Sequence, residues 1–137
     1  MNHKLAIVLL AILALAVATP AQVIPVPGTG CGNAVTQVQG TPTLGQRVSV
    51  TNPFPCFLTT PITVIGLPTV IPWRGCSNQP CPVGVIPVLS TIGGIVNSTI
   101  LVIPNDPALI GICVRAQSGC YTSTCIQLDR AVDICVR

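Results

Sequence analysis

The sequence predicts an all-β protein: a single disulfide-stapled β-sandwich, immunoglobulin-like or jelly-roll-like, that follows a cleaved signal peptide. Three observations predict this fold. The chain opens with an apolar leader, it contains eight cysteines, and the rest of it consists of short β-branched segments separated by turn-forming residues. Such segments, at a spacing of roughly 8 to 15 residues, are typical of sandwiches and barrels.

The leader is residues 1–21. A short polar and cationic start precedes the uninterrupted apolar run Leu5–Ala18, and the last leader residues offer the small side chains that a signal peptidase accepts. We expect cleavage after Ala21, with cleavage after Ala18 as the alternative. A retained membrane anchor is a further alternative, but the apolar run is shorter than the roughly 20 residues that a spanning helix needs.

Beyond the leader, apolar residues recur with a period of two and show little helical periodicity. We expect an N-terminal extended arm over residues 22–30 and a single β-sandwich domain over residues 31–137. Pro107 could open a helix, but the β-branched residues that follow favour a strand over Leu109–Gln117. The other predicted strands lie in the segments Val48–Val50, Ile62–Ile65, Val83–Ile86, Ile100–Ile103 and Ala131–Val136.

The eight cysteines predict a disulfide framework, because an even number of cysteines in a small exported chain is typical of folding in an oxidising compartment. A zinc site is the alternative, but the sequence has no short Cys-x2-Cys knuckle. We predict two local pairs across turn-rich loops, one pair between two Ile-Cys-Val-Arg segments, and one remaining pair: Cys76–Cys81, Cys120–Cys125, Cys113–Cys135 and Cys31–Cys56.

Charged residues are scarce. They make up 7% of the chain, against about 25% in an ordinary soluble domain. Beyond the leader, scattered arginines stand against three aspartates, which is too little positive charge for nucleic-acid binding. No histidine follows the leader, which excludes Ser-His-Asp and Cys-His chemistry. We therefore predict a protein that is not an enzyme, with no catalytic residue, no cofactor and no metal site.

The aspartates and the large aromatic rings have structural explanations. Asp106 precedes a proline in a turn, where an aspartate side chain typically binds the backbone. Asp129 and Asp133 are four residues apart near the C-terminus, and we expect a solvated polar face there and not a cation site. Trp73 and Tyr121 each adjoin a cysteine-containing loop, so we expect these rings to cover sulfur atoms.

Two segments carry a resemblance to a known family. Residues 40–50 open with Gly-Thr-Pro-Thr-Leu-Gly, and residues 103–111 are Ile-Pro-Asn-Asp-Pro-Ala-Leu-Ile-Gly, followed by Arg115-Ala116-Gln117. In these segments the chain resembles a family of exported bacterial β-domains that often close longer surface or secreted proteins. The resemblance spans most of the chain after the leader, with a poorly matched middle. It implies an exported β-fold and supplies neither an activity nor a catalytic residue.

Scarce charge also bears on function, because edge strands without charged residues pair readily with other chains. We expect a secreted structural module of the extracellular space or cell surface, without a membrane span after the leader, that forms oligomers or fibres or joins other envelope proteins. The expected contact is the proline-marked arm, through Val23, Ile24 and Val26, unless the arm docks on its own domain or is disordered. The alternative function is a small adhesion domain for a glycan or protein partner. Asn97 heads a glycosylation sequon.

Overall fold

The computed structural model describes residues 22–54, 56, 59–92 and 98–137. The predicted signal peptide, residues 1–21, and the predicted glycosylation site Asn97 lie outside these residues. The all-β class is confirmed, with two sheets and four disulfides in the described part of the chain. The strands are β1 (Val23–Pro25), β2 (Gln37–Gln39), β3 (Arg47–Thr51), β4 (Thr60–Ile71), β5 (Val83–Ile92), β6 (Ser98–Val102), β7 (Cys113–Tyr121), β8 (Ile126–Leu128) and β9 (Val132–Cys135).

All neighbouring strands in the two sheets are antiparallel. The first sheet has the order β1-β9-β7-β4-β5, and the second has the order β2-β3-β6. In the first sheet β9 pairs with the beginning of β7 and β8 pairs with its end, so these two short strands occupy successive lengths of one edge of β7. The end strands are therefore β1 and β5 in the first sheet and β2 and β6 in the second.

The apolar core is formed by side chains of both sheets, and β3 contributes every second residue to it. In β3, Val48 and Val50 are buried while the residues between and beside them are not, which is the period of two expected for a strand with one face on a core. Val50 joins a buried cluster with residues of β4, β7 and β9 from the other sheet. Burial of each Val or Ile side chain of this cluster contributes about 1.5 to 3 kcal/mol. The cluster consists of Val50, Ile65, Ala116, Val132 and Ile134.

The N-terminal arm, residues 22–30, docks on the chain's own domain, which is one of the alternatives that the sequence left open. β1 pairs in register with β9 and forms one edge of the first sheet. The amide of Val26 donates to the carbonyl of Ala131 at 2.8 Å, and the amide of Cys135 donates to the carbonyl of Gln22 at 3.1 Å. The arm thus follows β9 along its whole length. Proline at an edge is the expected placement, because it removes a ladder donor.

The strand predicted over Leu109–Gln117 is present, but it begins later than predicted, at Cys113. Pro107–Leu109 forms a 3₁₀ turn, and Asp106 caps it by accepting a hydrogen bond from the amide of Ala108 at 2.9 Å. The expectation that Asp106 binds the backbone is therefore confirmed. Gly111 follows with a φ of +83°, a conformation that costs glycine little, and β7 starts only at Cys113. The capping aspartate and the glycine together delay the strand past the β-branched residues Ile110 and Ile112.

The disulfides join distant parts of the chain. The predicted local pairs Cys76–Cys81 and Cys120–Cys125 are wrong, and so is Cys31–Cys56, whereas Cys113–Cys135 is confirmed. The backbone register explains the errors: Trp73 lies opposite Cys81, whose amide donates to the carbonyl of Trp73, and Gln127 lies opposite Cys120. Each of these cysteines therefore reaches a partner in a distant segment of the chain. The observed pairs are Cys31–Cys81, Cys56–Cys120, Cys76–Cys125 and Cys113–Cys135.

Candidate functional site

A buried polar network centred on β7 holds several loops in place. The side chain of Gln117 is fully buried; its Oε1 accepts from the amide of Gly84 at 2.8 Å, and its Nε2 donates to the carbonyl of Asp129 at 2.9 Å. The Ser118 hydroxyl donates to Asp129 Oδ2 at 2.9 Å, and the Ser118 amide donates to the hydroxyl of Thr36 at 2.9 Å. Because buried polar groups are costly when unbonded, this network is a structural feature that fixes three segments against β7.

Asp129 and Asp133 do not form the solvated polar face that the sequence predicts. Asp129 lies between β8 and β9, and burial raises the pKa of its carboxyl, while the hydrogen bond from Ser118 opposes that rise. Asp133 lies within β9 and pairs with Arg115. The prediction is wrong because Asp129 is not on the strand with Asp133, so that the four-residue spacing does not place the two on one face.

Arg115 joins four strands of the first sheet. It forms a two-point ion pair with Asp133, its register partner on β9, through Nε to Oδ1 at 2.7 Å and Nη2 to Oδ2 at 3.0 Å. Its Nη1 donates to the carbonyls of Thr69 on β4 at 3.1 Å and Gly84 on β5 at 3.4 Å. The guanidinium therefore ties the end of β4 and the beginning of β5 to β7 and β9, which is a structural role.

The end strands of both sheets carry no charged residue. β1, β2, β5 and β6 contain only apolar residues, glycine, proline, serine, threonine and glutamine. In β5 a register shift opposite Ile65 and Gly66 leaves Val88 without a partner on β4, and its side chain is 78% exposed. Charged side chains are a common protection of sheet edges against pairing with other chains. The exposed large apolar residues on these strands are Val23, Ile24, Ile86, Val88, Ile100 and Val102.

The predicted contact residues of the arm lie along this surface. Ile24 is 44% exposed at the outer strand of the first sheet, and Val23 beside it is also exposed. Val26 is half-buried, and its amide is bonded to the domain. The structure thus places all three on the chain's own sheet, with β1 itself as the edge.

Trp73 and Tyr121 come together at one surface cleft of about 260 Å³. The sequence placed each ring over sulfur atoms, and the structure leaves both partly open, with exposed fractions of 50% for Trp73 and 40% for Tyr121. Cys125, whose disulfide partner Cys76 follows Trp73 closely in the chain, lines the same cleft. The other lining residues are Arg74, Gly75, Ser123, Thr124 and Ile126.

Sequence reasoning missed this cleft because its two walls are 48 positions apart and meet through the Cys76–Cys125 disulfide. Arg74 in particular was not singled out. A signal was present: the one tryptophan of the chain stands beside an arginine in a sequence with very few charges. Trp73 and Arg74 also line a second cavity of about 390 Å³, together with Pro72, Pro80 and Pro82.

A third cavity, of about 500 Å³, lies beside Cys31 and the Cys56–Cys120 disulfide. Two of its asparagine side chains already have partners. Asn52 donates to both sulfurs of that disulfide and accepts from the amide of Phe54, and Asn33 accepts from Arg130. These bonds give the two asparagines a structural role.

Within the described residues, no three His, Cys, Asp or Glu side chains gather where they could hold a metal ion. No helix within the same residues has both the length and the apolar character to span a bilayer. In comparisons with known proteins, no family model, curated protein or solved structure matches the chain.

Proposed function

We propose that the chain is a secreted structural module of the extracellular space or cell surface that assembles with copies of itself through its sheet edges. In this proposal the two sheets form a disulfide-stapled β-sandwich, immunoglobulin-like or jelly-roll-like, after a cleaved signal peptide. The observation that carries the proposal is the lack of charge on β1, β2, β5 and β6. Four disulfides favour an oxidising location, and the resemblance to exported bacterial β-domains points the same way.

The positions of the edges determine which assemblies can form. β1 and β5 are opposite ends of one sheet, so pairing of β5 with β1 of the next copy would extend that sheet without limit. Pairing of β5 with β5 would close a dimer. Pro25 and Pro87 each lack a backbone donor, which leaves β6 and the part of β5 beyond Pro87 as the least interrupted lengths of edge.

The arm contributes from where it is docked. Because β1 is hydrogen-bonded to β9, we propose that Val23, Ile24 and Val26 add to an interface along the sheet edge and that the arm is not donated to a neighbouring copy. Removing the whole arm would uncover β9, which contains the buried Ile134, and would confound assembly with loss of stability.

The experiment introduces one charge at an edge and measures assembly. The variants are Val88→Lys on β5 and Ile100→Lys on β6, and the control is Ile110→Lys. Ile110 matches Ile100 closely, with exposed fractions of 57% and 59%, but lies in a turn outside the strands. Size-exclusion chromatography with light scattering and negative-stain images would be recorded over a wide range of concentrations.

We expect oligomers or fibres from the parent and from Ile110→Lys, and weaker assembly or monomers from at least one edge variant. A lysine on an edge must be desolvated beside an apolar partner strand, which disfavours pairing. A parent that stays monomeric at all concentrations overturns the proposal. Equal loss of assembly in the edge variants and the control also overturns it, because the contact would then depend on general surface hydrophobicity.

A further inference from the structure

We propose that the cleft between Trp73 and Tyr121 binds an acidic sugar residue of an oligosaccharide. The sugar ring stacks on the aromatic faces, and its carboxylate pairs with Arg74. This binding site is independent of the proposed self-assembly, because none of its three main residues lies on an end strand.

The aromatic rings supply the stacking surface. The chain has only four aromatic residues, one Trp, one Tyr and two Phe, and two of them line this one cleft. Trp73 keeps half of its surface in water although it is the largest side chain of the protein. A large ring exposed in this way gains most from a ligand with a flat apolar face and a polar rim, and the C–H face of a pyranose has that character.

Arg74 gives the cleft its charge preference. Its Nη1 donates to the carbonyl of Asn78 at 2.9 Å, which uses one of the five guanidinium donors. Within the described residues the ion pair belongs to Arg115, and no carboxylate lines the cleft. A ligand carboxylate would therefore meet an arginine without a competing anion and could bond two guanidinium donors at once.

The walls of the cleft are held before any ligand arrives. On one side, the carbonyl of Trp73 accepts from the amide of Cys81 at 2.9 Å, and Arg74 pairs with Pro80 in a single antiparallel β-bridge. On the other side, Tyr121 pairs with Ile126 in the hairpin of β7 and β8. The Cys76–Cys125 disulfide joins the two walls covalently. Such preorganisation lowers the entropy lost on binding.

The size and surroundings of the cleft favour a chain of sugars over a single free one. A cavity of about 260 Å³ is at the small end for a ligand site, so one ring fills it. Trp73 and Arg74 also line the second cavity, so a second sugar unit bound there would contact the same two residues. The hydroxyls of Ser123 and Thr124 at the rim can bond the hydroxyls of the sugar.

Intrinsic fluorescence tests the proposal directly, because Trp73 is the only tryptophan. The folded, disulfide-bonded protein would be titrated with tetragalacturonic acid, with neutral galactotetraose as the matched uncharged probe and tetraglutamate as the peptide control. Calorimetry would repeat the titrations for variants that remove the fluorophore. The cleft variants are Trp73→Ala and Arg74→Ala, and the controls are Phe54→Ala and Arg47→Ala, which alter exposed residues outside the cleft.

We expect saturable binding of tetragalacturonic acid that weakens with salt, and at least about tenfold weaker binding of galactotetraose. Arg74→Ala should remove the difference between the two probes, Trp73→Ala should abolish binding of both, and the control variants should bind as the parent does. The absence of a fluorescence change and of binding heat at millimolar tetragalacturonic acid overturns the proposal. Unchanged affinity in Arg74→Ala, or equal binding of tetraglutamate, overturns the assignment to an acidic sugar.

Discussion

Asp129 places an ionisable carboxyl among buried groups. Burial raises its pKa above the usual value of 3.8, so the folded protein binds this proton more tightly than the unfolded chain does. The contribution of Asp129 to stability therefore falls as the pH rises from below 3.8 through the higher pKa of the folded state. At neutral pH the fold carries the cost of a partly desolvated charge.

Asp129→Asn should remove this cost. The amide oxygen of asparagine can still accept the hydrogen bond from Ser118. We expect the variant to be more stable than the parent at pH 7, by at most about 1 kcal/mol because water still reaches part of the carboxylate. The difference should shrink as the pH is lowered toward 3. Melting temperatures of both proteins across this range would measure it, and parallel pH profiles would contradict the expectation.

Local side-chain roles were predictable from the sequence, and distant ones were not. Asp106 binds an amide two residues away, so its turn alone revealed its function. Gln117 and Ser118 bond groups on β5 and in the loops before β2 and β9, and no local pattern indicates those partners. The cleft was missed for the same reason, because Arg74 belongs to a cleft only through the facing wall that contains Tyr121.

At the scale of elements, the side chain of Arg115 links four strands, whereas a turn links two. Arg115→Met keeps an apolar stem of similar length but leaves the half-buried Asp133 without its cation and the Thr69 carbonyl without this donor. We expect a loss of about 2 to 3 kcal/mol in the free energy of unfolding. Denaturant titrations with intact disulfides, followed by Trp73 fluorescence, would measure it.

A second variant separates the ion pair from general packing. Asp133→Asn combined with Arg115→Met should recover part of the loss, because the double variant leaves no uncompensated carboxylate. The exposed Arg47 provides the control, and Arg47→Met should change stability by no more than about 0.5 kcal/mol. Strictly additive effects of the two substitutions would show that Arg115 and Asp133 are not coupled.

The β-branched segments predicted most of the strands, but they did not predict which strands lie side by side in the sheets. The proline in β1 fits the observed edge position, because it removes a backbone donor within the strand itself, but the sequence left open whether the arm docks on its own domain. The order β1-β9-β7-β4-β5 depends on pairings between residues far apart in the chain, where many registers satisfy the same alternation of apolar residues. The early start predicted for β7 shows that a capping aspartate and a glycine in a turn outweigh the β-branched Ile110 and Ile112.

For the whole molecule, the disulfide connectivity makes a sharp prediction about digestion. In the chain from Gln22, the form expected after signal-peptide cleavage, trypsin cleaves after Arg47, Arg74, Arg115 and Arg130, and every resulting fragment contains a cysteine. With the observed pairs, all fragments remain joined in one covalent product. Local pairs across the turn-rich loops would instead release the fragment of residues 116–130 by itself. Non-reducing mass spectrometry of the protein, digested in urea with a thiol blocker, distinguishes the two outcomes.

The expected result is a single non-reduced product that separates into its fragments on reduction. Free alkylated cysteines, or release of residues 116–130 without reduction, would contradict the observed pairing. The sequence could predict that the cysteines form disulfides, because that follows from their number and from the leader. It could not predict the partners, because those depend on how the sheets bring distant strands together.

These crosslinks also determine how the chain bears a pulling force. The covalent route from Gln22 to Arg137 need not follow the backbone, because it can pass through the Cys31–Cys81 bridge and then the Cys76–Cys125 bridge. A molecule pulled at these two residues becomes taut along that short route even when every strand has unfolded. The bypassed segments carry no load, and the tensile strength of the link is that of its covalent bonds.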